Sequence, residues 1–189
     1  MTNEHEVTNA GRVKFNYWSE VLEWGQAIVI AVILGLLIKM FVFALVLVDG
    51  PSMRPTMETG DRLLVVSRYI TTPKKGDIVV FRPAYEGSKP YIKRVIADEG
   101  DTLDIDFETG EVFVNGQLIH EPYIAEKTKH RGDFVGPVTV PPGHVFVMGD
   151  NRNDSDDSRR SRVGMVDKKS IMGKATYRWW PMKKFGQLH

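Results

Sequence analysis

The feature that most limits what this chain can become is the run from Ala27 to Val48, 22 residues in which Lys39 is the one charged side chain. Such a run is long enough to cross a hydrocarbon core ~30 Å thick. A core helix of a soluble domain would show a polar stripe, and this one is apolar all round apart from Lys39. A lysine at mid-bilayer costs roughly 2.5–3.5 kcal/mol. The better fit therefore starts the span near Val21 or Trp24, with Trp18 and Trp24 as interface anchors, and lets Lys39 snorkel outward. The expected organisation is a tail over 1–20, an anchor over 21–42 and a domain over 43–189, with Met40 to Val48 leaving the lipid as a partly extended apolar segment. The polar lead is too long and the apolar run exceeds the usual 7–15 residues for a cleaved leader, and no A-x-A site follows.

A few residues beyond the run stands Gly50-Pro-Ser-Met-Arg-Pro-Thr-Met57. Pro51 fixes φ beside Ser52, and Pro55 cannot donate to a ladder, so the stretch reads as a tight irregular turn. A hydroxyl held there projects away from regular structure, as a nucleophile must. The plainer reading is that Ser52 only accepts a hydrogen bond from its own turn, and this stretch alone leaves it open.

After the turn the pattern is β. Short Leu/Val/Ile/Phe runs lie at Arg62 to Ser67, Asp77 to Phe81, Tyr91 to Ala97 and Thr102 to Phe107. Glu111 to Val114 follows, and Asn115-Gly116 predicts a type I′ hairpin into Gln117 to His120. Residues 121–137 read as a polar surface excursion. His144 to Met148 and Ile171 to Trp180 complete the strands. The fold class is mostly β: an antiparallel sheet or barrel-like domain behind one N-terminal transmembrane helix.

Two further constellations can carry chemistry. Lys93 shares a strand face with Tyr91 and Val95, while Arg94 points the other way. A lysine among apolar neighbours loses hydration and its pKa falls. The competing reading is an edge-strand lysine that discourages aggregation. The second is the loop Asp150 to Arg162, with four Asp and four Arg, a balance that suggests internal pairing. It lacks the spacing of a calcium loop. No histidine sits in a segment as constrained as those of Ser52 and Lys93. His5 and His189 are in the tails, His120 and His130 adjoin the excursion, and His144 alone borders a motif. A Ser–Lys pairing is thus a better nucleophile and base than a Ser–His–Asp set. The chain has no cysteine, which excludes thiol catalysis and disulfides and is compatible with an oxidising compartment. A net charge of +1 with interspersed signs gives no reason to expect nucleic acid.

Ser52-Met-Arg-Pro-Thr56, Gly76-Asp-Ile-Val-Val-Phe81, Tyr91-Ile-Lys-Arg-Val95, Gly100-Asp101 and Gly149-Asp-Asn-Arg152 with Ser155, Asp157, Ser158 and Arg159 resemble, in order, the boxes of bacterial type I signal peptidases. The short length and single span resemble the Gram-positive form. The resemblance implies a mostly antiparallel β domain on the outer membrane surface that removes signal peptides from exported preproteins, with no cofactor and no metal. Ser52 is similar to the nucleophile and Lys93 to the general base. Ser155 resembles the serine that orients the lysine amine, and Asp157 and Arg159 the pair that holds the active-site loop. The implied partners are preproteins, the lipid bilayer and the secretion translocon. The implied location is the cell membrane, single-pass, with the N-terminus cytoplasmic.

Two departures stand out. Enterobacterial members carry a serine two positions before the nucleophile, whose hydroxyl helps the oxyanion hole. Here that position is Gly50, so the Ser52 backbone N–H has more to do. The turn after the lysine strand, Gly-Leu-Pro-Gly-Asp in the family, is Ala97-Asp98-Glu99-Gly100-Asp101. Self-cleaving regulators of the SOS response share the Ser–Lys fold, but carry a DNA-binding segment where this chain has an anchor. A tethered β domain that only binds exported proteins is the non-enzymatic alternative.

Overall fold

In the computed structural model, residues 17–85 and 87–188 are described. The tail expected over 1–20 therefore falls almost wholly outside the described residues, as do His5 and His189. The chain divides into two compact units, 1–38 and 39–189.

The first unit is dominated by helix α1, Tyr17–Val42. At 1.5 Å per residue its 26 residues extend about 39 Å. The window Glu20–Leu37 has a mean hydropathy of 1.8 and none of it is buried against protein, so it is long and apolar enough to cross a membrane. The helix covers 17–42, four residues more than the anchor expected over 21–42. The Lys39 side chain, read as snorkelling, lies outside the described side chains.

In the second unit the apolar segment after Val42 becomes strand β1, Phe43–Leu47, paired antiparallel with β2, Arg62–Ser67. Of the stretch expected to be extended, Met40 to Val48, residues 43–47 form an edge strand and 40–42 finish the helix. It is followed by β3, Ile78–Phe81, β4, Tyr91–Asp98, β5, Thr102–Asp106, β6, Glu111–Val114, and β7, Gln117–Leu118. Then come β8, Val138–Thr139, β9, His144–Met148, β10, Val166–Asp167, β11, Ile171–Trp180, and β12, Gly186–Gln187. The larger sheet runs β1-β2-β11-β3-β4-β9-β10, with β12 on β11, and the smaller runs β7-β6-β5-β8. Every described pairing is antiparallel. The domain is mostly β, as the strand pattern implied, with short 3-10 turns at Lys168–Ser170 and Met182–Lys184.

Asn115 and Gly116 both have positive φ, at 55° and 74°, as a type I′ turn requires. Three apolar clusters fill the sheets. The one beneath the Ser52 turn contains Val48, Met53, Met57, Leu63, Val65, Ile78, Val80 and Ala175. Residues 121–137 are not a free surface excursion: Thr128 and Phe134 are buried, and the segment is pinned to the loop after β9. Arg152 pairs with Glu121 and donates to Thr128 Oγ1 at 3.1 Å, and Arg159 Nη1 donates to the His130 carbonyl at 2.7 Å.

Candidate active site

The Ser52 turn is rooted by two methionines, each two residues beyond a proline. Met53 and Met57 are each 1% exposed, in the cluster below β2. The Arg54 N–H donates to the Pro51 carbonyl and the Met57 N–H to that of Met53, both at 3.0 Å. Gly50 has φ +105°, open to glycine and strained for any L side chain. Having no side chain it supplies no hydroxyl, and its N–H is taken by Thr59 Oγ1 at 3.2 Å, which leaves the Ser52 N–H as this loop's candidate oxyanion donor.

β4 delivers Lys93 from below. Its Nζ donates to Ser52 Oγ at 2.8 Å and to the Ile92 carbonyl at 3.0 Å, with the Tyr91 ring centroid 5.0 Å away. The residue is 3% exposed. Burial pushes its amine from the ordinary 10.5 down to about 8, against the pull of the Asp157, Asp156 and Asp150 carboxylates and with help from Arg159. Strand alternation sends the next side chain to the opposite face. There Arg94 makes a two-pronged contact with Asp150, Nε to Oδ1 at 2.8 Å and Nη2 to Oδ2 at 2.7 Å. It also donates to the Gly76 carbonyl and lies over the Tyr123 ring at 3.9 Å. Asp150 Oδ2 in turn accepts from Thr56 Oγ1 at 2.5 Å. One carboxylate therefore ties the Ser52 turn to the strand that carries Lys93.

The loop after β9 completes the clamp. The Asn151 N–H donates to the Ser52 carbonyl at 3.0 Å, and Asn151 Nδ2 to that of Pro51 at 3.2 Å. A Cβ at Gly149 would fall 2.4 Å from the Ser52 carbonyl oxygen and 2.2 Å from Ser155 Oγ, so that glycine is what lets the two segments meet. Asp157 and Arg159 pair through two hydrogen bonds of 2.9 Å, and Asp157 also accepts from the Gly149 N–H at 2.9 Å. Burial alone would raise the Asp157 pKa; Arg159 and the Gly149 N–H more than reverse this and hold the carboxyl below the usual range.

The internal pairing expected between Asp150 and Arg162 is only half of what occurs. Asp157–Arg159 and Asp156–Arg162 close within the loop. Asp150 and Arg152 reach outward instead, to Arg94 and Glu121. Sequence reasoning assigned no role to Arg94, Thr56, Asn151 or Gly149. The alternation that exposed Lys93 to one face was also the signal that Arg94 must find an anion on the other. Ser155 Oγ is buried beneath Gly149, and no hydrogen bond joins it to Lys93. The described histidines sit elsewhere: His144 Nδ1 contacts the Pro142 carbonyl and His130 lies by Asn153 and Arg160.

Ser52 and Lys93 open into a groove of about 470 Å³. One wall is the chain from Val46 to Met53 and the other runs from Lys89 to Lys93, with Asp154 and Asp156 at the rim. A buried amine with a lowered pKa, in contact with a hydroxyl on a constrained turn, is equipped to take that hydroxyl's proton.

The profile of the family described as signal peptidase, peptidase S26, matches residues 21–180. Signal peptidase I of Bacillus licheniformis is 41% identical over 179 residues, covering 89% of this chain and 94% of that protein. Signal peptidase I T of Bacillus subtilis (strain 168) is 40% identical, covering 97% and 98%. Among solved structures, a signal peptidase I from Enterococcus faecalis V583 matches with a TM-score of 0.46 at 30% identity, over 56% of this chain and 98% of that one.

Proposed function

The chain belongs to the signal peptidase family, peptidase S26, and is a peptidase; from that premise we propose that it cleaves signal peptides from exported preproteins with a Ser52–Lys93 dyad. The observation that carries the reading is the 2.8 Å contact between Lys93 Nζ and Ser52 Oγ in a buried site. The proposal places an extended preprotein segment in the groove, where Val46 and Leu47 of one wall belong to the edge strand β1.

In the proposed cycle the Lys93 amine is neutral and accepts the Ser52 hydroxyl proton. Oγ attacks the scissile carbonyl carbon, and the oxyanion that forms is met by the Ser52 N–H, a kind of donor whose loss costs ~2.7–4 kcal/mol where measured. The Lys93 ammonium then protonates the departing amine of the mature protein. The signal peptide stays as an ester on Ser52. Lys93, neutral again, takes a proton from water as the water attacks the ester carbon, and the ammonium returns that proton to Oγ. Asp157 and Arg159 hold the loop beneath. The hydrogen bond that orients the amine is the one to the Ile92 carbonyl; Ser155, whose hydroxyl packs against Gly149 and not on Lys93, is proposed only as support for the loop.

The proposed setting is a single-pass protein of the cell membrane with 1–20 cytoplasmic, 21–42 in the lipid and 43–189 outside. Its partners are preproteins, the bilayer and the translocon. The test is cleavage of a preprotein by purified full-length protein. Ser52→Ala and Lys93→Ala should each abolish it while the β signal in circular dichroism is unchanged. The double substitution should be no worse than either single one, because the two groups act as a unit. Retained cleavage in a folded Ser52→Ala protein rejects the proposal.

A further inference from the structure

Tyr91 does more than line the groove. Its hydroxyl donates to Asp156 Oδ2 at 2.8 Å and is 2.7 Å from the Tyr85 hydroxyl. Asp156 is held in turn by Arg162, Nε to Oδ1 at 3.0 Å and Nη2 to Oδ2 at 2.7 Å. The chain Tyr85–Tyr91–Asp156–Arg162 thus crosses from the segment before β4 to the loop after β9. It fixes the phenol ring 5.0 Å from the Lys93 amine. Burial, together with the Tyr85 and Asp156 hydrogen bonds, raises the Tyr91 pKa, so the phenol remains a donor wherever the enzyme would work.

We propose that Asp156 is a positioning residue for the general base, acting through Tyr91 as a latch that holds the ring beside the Lys93 amine. The inference rests on Lys93 being that base. Asp156 then has two opposed effects on Lys93. Its negative charge favours the ammonium. The ring it tethers is in cation–π range, which also favours the ammonium, but it covers an amine for which burial is the largest influence, so its net effect favours the neutral form. Ser52 touches the amine, and the charges of Asp150, Asp157 and Arg159 act on it. Among the described residues none of these hydrogen-bonds or ion-pairs with the side chains of Tyr91 or Asp156, so altering either leaves their own contacts in place.

The two effects separate in isosteric variants. Asp156→Asn keeps an oxygen to accept from the Tyr91 hydroxyl but removes the charge. Tyr91→Phe keeps the ring but removes its tether. The measurement is kcat/KM for a signal-peptide-derived peptide against pH, using the full chain in detergent. Asp156→Asn should move the rising acid limb to lower pH, on the order of half a unit. Tyr91→Phe should move it to higher pH and raise KM. Asp156→Ala removes the charge and the acceptor together, so its limb should lie above that of Asp156→Asn, and this comparison serves where Tyr91→Phe is poorly folded. A limb unmoved in a folded Tyr91→Phe protein, or limbs that coincide in Asp156→Ala and Asp156→Asn, overturns the latch. An active Lys93→Ala protein instead overturns the dyad on which it rests.

Discussion

Lys93 should make the protein less stable at neutral pH, and replacing it with methionine should show by how much. The side chain is 3% exposed, and its folded pKa of about 8 lies below the ordinary 10.5. A lysine whose pKa falls on folding binds its proton more weakly in the native state than in the unfolded chain. Stability must then rise as pH climbs from about 8 to 10.5, and the burden is greatest below that window. The 2.5-unit difference corresponds to roughly 3 kcal/mol at 1.36 kcal/mol per unit. Methionine fills a similar volume without a charge. Lys93→Met should therefore be inactive yet more stable at pH 7 by up to about 3 kcal/mol, somewhat less because Ser52 Oγ loses a partner. In thermal unfolding this is a rise on the order of 5–10 °C for a chain of this size. The gap should close as pH approaches 10.5. The wild-type rate should report the same ionisation, with kcat/KM rising through a limb near pH 8. A methionine variant that is less stable at pH 7, by an amount independent of pH, would refute the reasoning.

The Asp157–Arg159 pair is buried on both sides, at 0% and 3% exposure. Truncating either partner to alanine should destabilise by about 3–5 kcal/mol, read from the denaturant midpoint, because the other charge is stranded. The double substitution should cost less than the sum of the two. Gly149→Ala would drive a methyl into the Ser52 carbonyl and Ser155 Oγ. Turnover should fall about tenfold or more through misplacement of the nucleophile, with the fold retained by circular dichroism; an alanine variant of normal kcat would show that the close approach is not needed.

The strands and the long apolar helix were legible because each has a period or a length that few alternatives share. Lys93 was legible by alternation: on the face of Tyr91 and Val95 it had to be buried or at an edge. Two things were not legible. One is partner choice among charges: the Asp/Arg balance of 150–162 predicted internal pairs, but Asp150 and Arg152 meet Arg94 and Glu121, 56 and 31 residues away in the chain. Local sequence cannot report such distant partners. The other is the docking of 121–137, whose polar composition looked solvent-bound until Thr128, Glu121 and the His130 carbonyl were seen to satisfy buried guanidinium groups. Strands β10 and β12, two residues each, are too short to carry a period.

The central claim is that Ser52 forms a covalent ester with the signal peptide after Lys93 removes its proton. Rapid acid quenching of the enzyme with a reactive peptide ester, followed by mass mapping, tests this directly. The acyl group should be found on the peptide containing Ser52 in the wild type, and in neither Ser52→Ala nor Lys93→Met. An adduct on another residue, or full turnover by Ser52→Ala with no adduct at all, would contradict the account.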